Sequence, residues 1–443
     1  MVKLSSFKLH KFAGLTAGTV LFILAISGFV LDHDYWRVFY SLRFEIDSPL
    51  ILQKEQRLIT SKVVLKNHTI VGSMRGVYES QGKTNYIETL DLPTMALFSH
   101  HKNIYAATTE GIYLKHMGKW QLFALEGEVV TALSGNEEKL VAVIDKKELV
   151  TVDYNGKVLQ RNSVAIDKEQ LSHNNVTLSR FLRDLHYGRG IFDEGLSLLL
   201  NDYAAFVLSF LALSGYVIWF LIWKKRAIKW TRFLIRAHAN SFVIVASFIL
   251  IVLGISGIYL DHASFFGKFS KKVYIPHTFL PPIYHSLKED VWSVALFDNN
   301  YYIGNRVGVY RSKNMKNWEL VSSGFGYSLG YVNEHLFIGG MGAPNRVCDT
   351  KECKTIFDAP HMFKQVYMQN DKIHYLAPHT KSDSLPHFQN ITLYTLMLSL
   401  HDGSFFASWW IWINDVASLL LFVLIGTGSY RWWKKRAVRV KKG

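Results

Sequence analysis

The chain has 443 residues, 49% of them hydrophobic and 14% aromatic, and a formal net charge of +15. That length exceeds one ordinary domain, and apolar residues gathered in long blocks exclude a purely soluble protein. The charge sits in three acid-free segments: three Lys in Met1–Lys11, six Lys or Arg in Lys224–Arg236, and seven in Arg431–Gly443. This is the positive-inside pattern of a membrane protein rather than a nucleic-acid footprint, and it predicts cytoplasmic termini and a cytoplasmic 224–236 loop.

The first span is Phe12–Leu31, twenty residues without a charge, enough to cross a hydrocarbon layer of ~30 Å. It is too long for the core of a signal peptide, and no small-residue cleavage site follows. Gly14 and Gly18 form a GxxxG pair, which reads first as a helix-packing surface.

From Asp34 to about Asn175 the chain is polar, with short alternating stretches. Ile70–Tyr78 and Tyr105–Tyr113 repeat, with Gly76 and Gly111 35 residues apart. A third copy, Tyr302–Tyr310, follows the third span, and copies two and three run into Lys119–Leu122 and Asn317–Leu320, each with a tryptophan. Weaker copies are Lys139–Asp153, Glu334–Phe357 and Lys364–Leu376. Short strands at this period predict β-propeller blades, roughly six, contributed jointly by two exterior segments. Two separate small β-sandwiches are the alternative.

Span two is expected near Tyr203–Trp223, span three at Asn240–Leu260 and span four at about Asn414–Tyr430. Spans one and three match through Ser27-Gly28 and Ser256-Gly257, and through Leu31-Asp32-His33 and Leu260-Asp261-His262. Spans two and four match through Leu-His-x-Gly, Asn201-Asp202 and Asn414-Asp415, and Ser214-Gly215 and Thr427-Gly428. The order helix, β segment, helix therefore occurs twice, which predicts a pseudo-two-fold axis along the membrane normal. Trp409, Trp410 and Trp412 read as the outer aromatic belt, and Trp219, Trp223, Trp432 and Trp433 as the inner one. Cys348 and Cys353 are the two cysteines, both in one exterior stretch, where an oxidising compartment would let them pair locally.

Six of eighteen histidines recur at repeat-related positions. His10 and His238 stand at the cytoplasmic rim; His33, His262, His186 and His401 stand at the outer rim. One rim histidine reads as an interfacial residue. Six at equivalent positions point to metal or haem ligation, which needs one imidazole on each face of the ring. The pseudo-two-fold sets His10 opposite His238 and His186 opposite His401. His33 and His262 could replace the outer pair or form a third site. Lacking CxxCH, any haem is b-type. Asn201-Asp202 and Asn414-Asp415 read as helix starts or as proton or propionate contacts. His100-His101, and Met341 with His361, are metal-capable types, but scattered surface histidines are not by themselves sites.

The residues Leu9 to Leu15 with Ser27-Gly28, Leu185 to Arg189 with Ser214-Gly215, and Trp223 to Arg226 resemble the PepSY-associated transmembrane family. The resemblance returns at His238, His401-Asp402-Gly403 and Thr427-Gly428 to Lys434, and covers the four spans. It implies a bacterial inner membrane protein with a large periplasmic domain, and the haem-dependent reduction of ferric siderophores. The exterior segments depart from the usual PepSY modules; only Tyr154 to Val158 is similar to a PepSY-type strand.

The sequence thus predicts four transmembrane helices in two repeats plus an all-β exterior domain. The expected organisation is 1–33 span one, 34–180 exterior segment, 181–223 outer rim and span two, 224–239 basic loop, 240–262 span three, 263–396 second exterior segment, 397–433 outer rim and span four, and 434–443 basic tail. The expected function is a di-haem oxidoreductase with two haem b. Electrons would come from a cytoplasmic carrier or quinol and go to ferric iron or a ferric chelate, the other partners being membrane lipids. No nucleotide fingerprint occurs in the short cytoplasmic parts, so the donor is external. No catalytic side chain is named. The alternative is a membrane-anchored propeller that binds, senses or assembles without redox activity; a transporter fits less well, with four spans and no charged midplane residue.

Overall fold

The computed structural model describes residues 5–65, 68–82, 85–172, 175–192, 194–225, 228–288, 290–349, 352–378 and 385–440. Parts of the three basic segments (1–4, 226–227 and 441–443) lie outside the described residues. The chain divides into two compact units, one of residues 1–34, 179–272 and 394–443, the other of residues 35–178 and 273–393.

The first unit contains four helices long and apolar enough to cross a membrane. They are Ser6–Asp32, Glu194–Trp223, Ser241–Asp261 and Ile411–Val440. Three outrun the apolar stretches read from the sequence, because a charged interface does not end a helix: Lys8 and Lys11 lie within the first one. Span one packs on spans two and four, and span three on the same two. The core of the bundle is built from Ala17, Ala25, Ala204, Ala246 and Ala417 with Leu21 and Leu250. Small residues there let the backbones approach, since apolar surface alone gives no drive to associate in lipid. Gly18 serves the same end: a Cβ there would lie 2.9 Å from the ring of Tyr216, whose hydroxyl accepts from Thr19 N at 3.1 Å. Phe206, Val245 and Phe248 point outward, where lipid would cover them.

Shorter helices complete this unit. Leu178–His186 and Leu393–His401 each have nine residues and each end on a histidine. Ile228–His238 lies inside the stretch read as a basic loop, and Ala263–Ser270 inside the stretch read as the second exterior segment. Both are amphipathic, with Trp230 and Phe233, or Phe265 and Phe269, exposed. Such helices lie at an interface rather than across it.

Among the described residues the second unit holds five four-stranded antiparallel sheets, one two-stranded hairpin, and two short strand pairs, Arg43–Glu45 with Asn390–Thr392 and Val176–Thr177 with Tyr274–Ile275. The first strands are Ile59–Val64, Thr94–His100, Val130–Gly135, Ser293–Phe297, Ser328–Val332 and Gln365–Gln369. Each packs against the first strand of the next sheet, and the last packs back on Ile59–Val64. Each sheet is itself open. The repeats read from the sequence fall on successive strands of these sheets, such as Thr69–Ser73 with Gly76–Ser80 and Asn103–Thr108 with Gly111–His116. Gly76 and Gly111 have φ of +140° and +123°, and a Cβ would lie 2.3 Å from Leu90 O and 2.7 Å from Leu125 O. Only glycine serves there. Cys348 and Cys353 are bonded to each other at the end of one hairpin.

A buried ion pair ties the start of this unit to its end. Glu55, fully buried, meets Arg75 at 3.2 Å. The Arg75 guanidinium also donates to Asn390 O and Oδ1 at 3.0 and 2.7 Å, and Glu55 Oε2 accepts from Thr392 N at 3.0 Å. Both charges are thereby paired and hydrogen-bonded, the condition under which burial is tolerated.

Candidate haem-binding site

Four of the six histidines come together as two facing pairs within the helical unit. The rings of His10 and His238 have centroids 6.3 Å apart at an interplanar angle of 85°. Those of His186 and His401 are 6.1 Å apart at 56°. His10 lies in span one, but His238 ends the separate helix Ile228–His238, which breaks before span three at Ala239-Asn240. His10 stands 17 residues before Ser27 and His238 18 before Ser256, and the break accommodates the extra residue. The outer pair comes from the ends of the two nine-residue helices.

Each imidazole is held by a hydroxyl from a neighbouring span. His10 Nδ1 meets Thr427 Oγ1 at 2.8 Å, His238 Nδ1 meets Ser214 Oγ at 2.8 Å, His401 Nδ1 meets Ser27 Oγ at 2.9 Å and His186 Nδ1 meets Ser256 Oγ at 3.2 Å. Three of these hydroxyls donate to the carbonyl four residues back in their own helix. The distance is 2.7 Å for Thr427 to Val423, Ser27 to Ile23 and Ser256 to Val252. Ser214 donates to Leu211 O at 3.4 Å. A hydroxyl has one proton. With that proton on the carbonyl, the oxygen accepts from Nδ1–H, and Nε2 keeps its lone pair. The network therefore assigns the tautomer with the proton on Nδ1 and the lone pair on Nε2.

The glycine after each hydroxyl lies beside the same ring. A Cβ at Gly428 would be 3.6 Å from His10 Cε1, at Gly215 3.8 Å from His238, at Gly28 3.5 Å from His401 and at Gly257 3.4 Å from His186. The Ser/Thr-Gly pairs served in the sequence only as markers of the repeat. Their role was legible only through the recurrence of a hydroxyl and a glycine in all four spans.

His10 and His238 line a cavity of about 740 Å³. Its walls are mainly apolar, with Gly14, Gly18, Trp219 and Trp432 among them. Lys11, Arg236 and Arg431 also line it, and none of its described lining residues is acidic. A cavity of this size falls in the range of ~300–1,000 Å³ that holds cofactors and drug-sized ligands. Its cations suit a ligand with an apolar body and anionic groups.

His33 and His262 have other partners. His33 Nε2 lies 3.6 Å from Asp202 Oδ2, and its Nδ1 donates to Phe29 O at 2.8 Å. His262 Nε2 lies 2.7 Å from Asp415 Oδ2. Asn201 donates to Asp32 at 3.0 Å and Asn414 to His401 O at 3.0 Å. The Asn-Asp pairs thus meet the Asp-His pairs and the end of the helix Leu393–His401.

A family model described as the PepSY-associated TM region matches residues 7–435. The comparison with curated proteins finds no match. Among solved structures, the chain is similar to the computationally designed Ika8 protein, with a TM-score of 0.33 and 9% identity over 72% of this chain and 80% of that one. It is also similar to the computationally designed Ika4 protein, with a TM-score of 0.21 and 17% identity over 24% of this chain and 71% of that one.

Proposed function

The chain belongs to the PepSY-associated TM family, and from that premise we propose that it is a di-haem membrane oxidoreductase carrying electrons to an exterior ferric acceptor. The observation that carries the proposal is the pair of facing imidazole sets, each ring with its Nδ1 tied to a hydroxyl.

The residues fit haem on three counts. The 6.3 and 6.1 Å between facing imidazole centroids would leave space between each pair for one metal ion held by both rings. The glycine beside each ring lets the imidazole lie close against the neighbouring helix, which fixes the plane of the ring. Lys11, Arg236 and Arg431 match the anionic propionates of the inner group. His10, His238, His186 and His401 would be the ligands; His33 and His262 would stay with their carboxylates. Bound haem supplies one-electron redox chemistry, tuned by its axial ligands and their hydrogen bonds.

The protein does the rest. The hydroxyls fix ring orientation and keep each imidazole basic. The apolar bundle excludes water, and the cations offset propionate charge where unpaired charge is costly. Ser27 lies seventeen residues along span one from His10, so the two pairs are separated by ~25 Å along the membrane normal. That separation suits a relay from one face to the other.

In this reading the basic ends set the termini in the cytoplasm of a bacterial cell. The six sheets, joined in a ring through their first strands, are propeller blades on the periplasmic side, and the Cys348–Cys353 bond fits that oxidising compartment. A cytoplasmic carrier or quinol would donate electrons. The acceptor would be ferric iron or a ferric siderophore, which oxygen donors hold less tightly once reduced.

The test is an optical spectrum of the detergent-purified protein before and after dithionite. The expected result is a Soret band with sharp reduced α and β bands at about two haems per chain. A colourless protein from haem-replete cells overturns the proposal and leaves a membrane-anchored binding or sensor protein.

A further inference from the structure

Outside the bundle, one cluster in the β unit brings together three metal-ligating side chains: His100, His101 and Glu137. Their ligand atoms all lie within 4.8 Å of one another, and it is the sole such trio among the described residues. His101 Nε2 is 3.4 Å and His100 Nε2 3.9 Å from Glu137 Oε2.

The fold explains why two sequential histidines share a side. Neighbours in a strand point to opposite faces. His100 ends the strand Thr94–His100, and His101 follows in the turn with φ of +52°. That left-handed residue swings its ring back over its neighbour, and the two centroids are 4.0 Å apart. His100 is also stacked on Tyr154 at 4.2 Å and 6°, and Tyr154 donates its hydroxyl to Asn136 O. Asn136 Oδ1 accepts from Glu138 N and Lys139 N, both at 3.0 Å. This holds the turn that presents Glu137. Two turns from neighbouring sheets are thus set against each other with their ligands facing.

We propose that His100, His101 and Glu137 form a site for a divalent transition-metal ion of the zinc class. Two imidazoles and one carboxylate form a donor set that such ions favour. Around a tetrahedral ion with bonds of ~2.1 Å, ligand atoms lie about 3.4 Å apart. The His101–Glu137 distance already meets this, the His100–Glu137 distance is 0.5 Å longer (3.9 against 3.4 Å), and all three ligand atoms lie within 4.8 Å of one another. The fourth position is open to water. Bound metal would clip the two hairpins and stabilise the β unit by mass action.

The experiment titrates Zn²⁺ into the full chain in detergent, purified without a histidine tag, and follows calorimetric binding and the unfolding temperature. The variants are His101→Asn, since Asn tolerates positive φ, and Glu137→Gln, which removes only charge. Wild type should bind one zinc ion per chain that each variant holds roughly tenfold or more weaker. Zinc should raise the unfolding temperature of wild type more than that of either variant. Equal affinity and stoichiometry in all three proteins, or no saturable binding by wild type, would overturn the proposal. Neither variant touches the membrane histidines, so haem content stays that of wild type and the two proposals fail separately.

Discussion

His10 and Thr427 are 417 residues apart, yet the imidazole Nδ1 and the hydroxyl meet at 2.8 Å, with Gly428 beside the same ring. The relationship recurs three times: Ser214-Gly215 with His238, Ser27-Gly28 with His401, and Ser256-Gly257 with His186. Each span therefore holds a histidine through the same two residue types. In three of the four the histidine lies on another helix of the bundle proper or on its outer rim; in the fourth it ends the helix Ile228–His238.

Thr427→Val keeps the shape and removes the acceptor for His10 Nδ1–H. Loss of an outer-shell partner typically weakens metal affinity by about 10–100-fold. The expected outcome is a lower haem-to-protein ratio, measured by pyridine haemochrome assay. Ser27→Ala should do the same at the outer pair. A full complement of haem in both variants would remove the hydroxyls from the account.

Single replacement of His10 or His238 by Ala should lose one haem, and replacement of His186 or His401 the other. His33→Asn and His262→Asn should retain both, because those rings face Asp202 and Asp415. Optical titration of each variant separates the groups. Haem loss confined to His33→Asn and His262→Asn would reverse the assignment.

Arg75→Met leaves Glu55 charged and buried with one partner fewer. Breaking a buried pair in this way costs about 3–5 kcal/mol. The denaturant midpoint of the β unit should fall accordingly, and Glu55→Leu added to Arg75→Met should recover part of the loss. A double variant as unstable as the single one, or an unchanged midpoint in the single one, would count against the pair as the tie between the two ends of that unit.

His277 is held below the ordinary histidine value of 6.5, first by burial and then by His285, whose ring is 4.2 Å away. The unfolded chain therefore binds more protons in the window just below 6.5. Its contribution is fully present above that value and is lost as pH falls through the folded value. Melting of the β unit should shift down between about pH 7 and about pH 5, and His277→Phe should flatten part of that slope. Parallel curves for the two proteins would exclude His277 as a source.

Much of the architecture was legible before any contact was known. Long apolar runs marked the spans, and the repeated Gly76 and Gly111 marked the sheets, because a turn at positive φ demands glycine in each copy. The pairing of His10 with His238 and of His186 with His401 followed from the repeat alone. The helix Ile228–His238 was hidden by its charge, which reads as a loop when a topology signal is sought. The helix Ala263–Ser270 was hidden by its length.

Local chemistry by itself determined the spans, their repeat, the repeated strands and the rim histidines. Those features depend on residue type and spacing along one stretch of chain. Tertiary structure alone decided which hydroxyl turns which Nδ1, that His33 and His262 go to carboxylates, and that His100 and His101 meet Glu137. These depend on contacts between residues far apart in sequence or on a backbone turn, and periodicity carries no information about either.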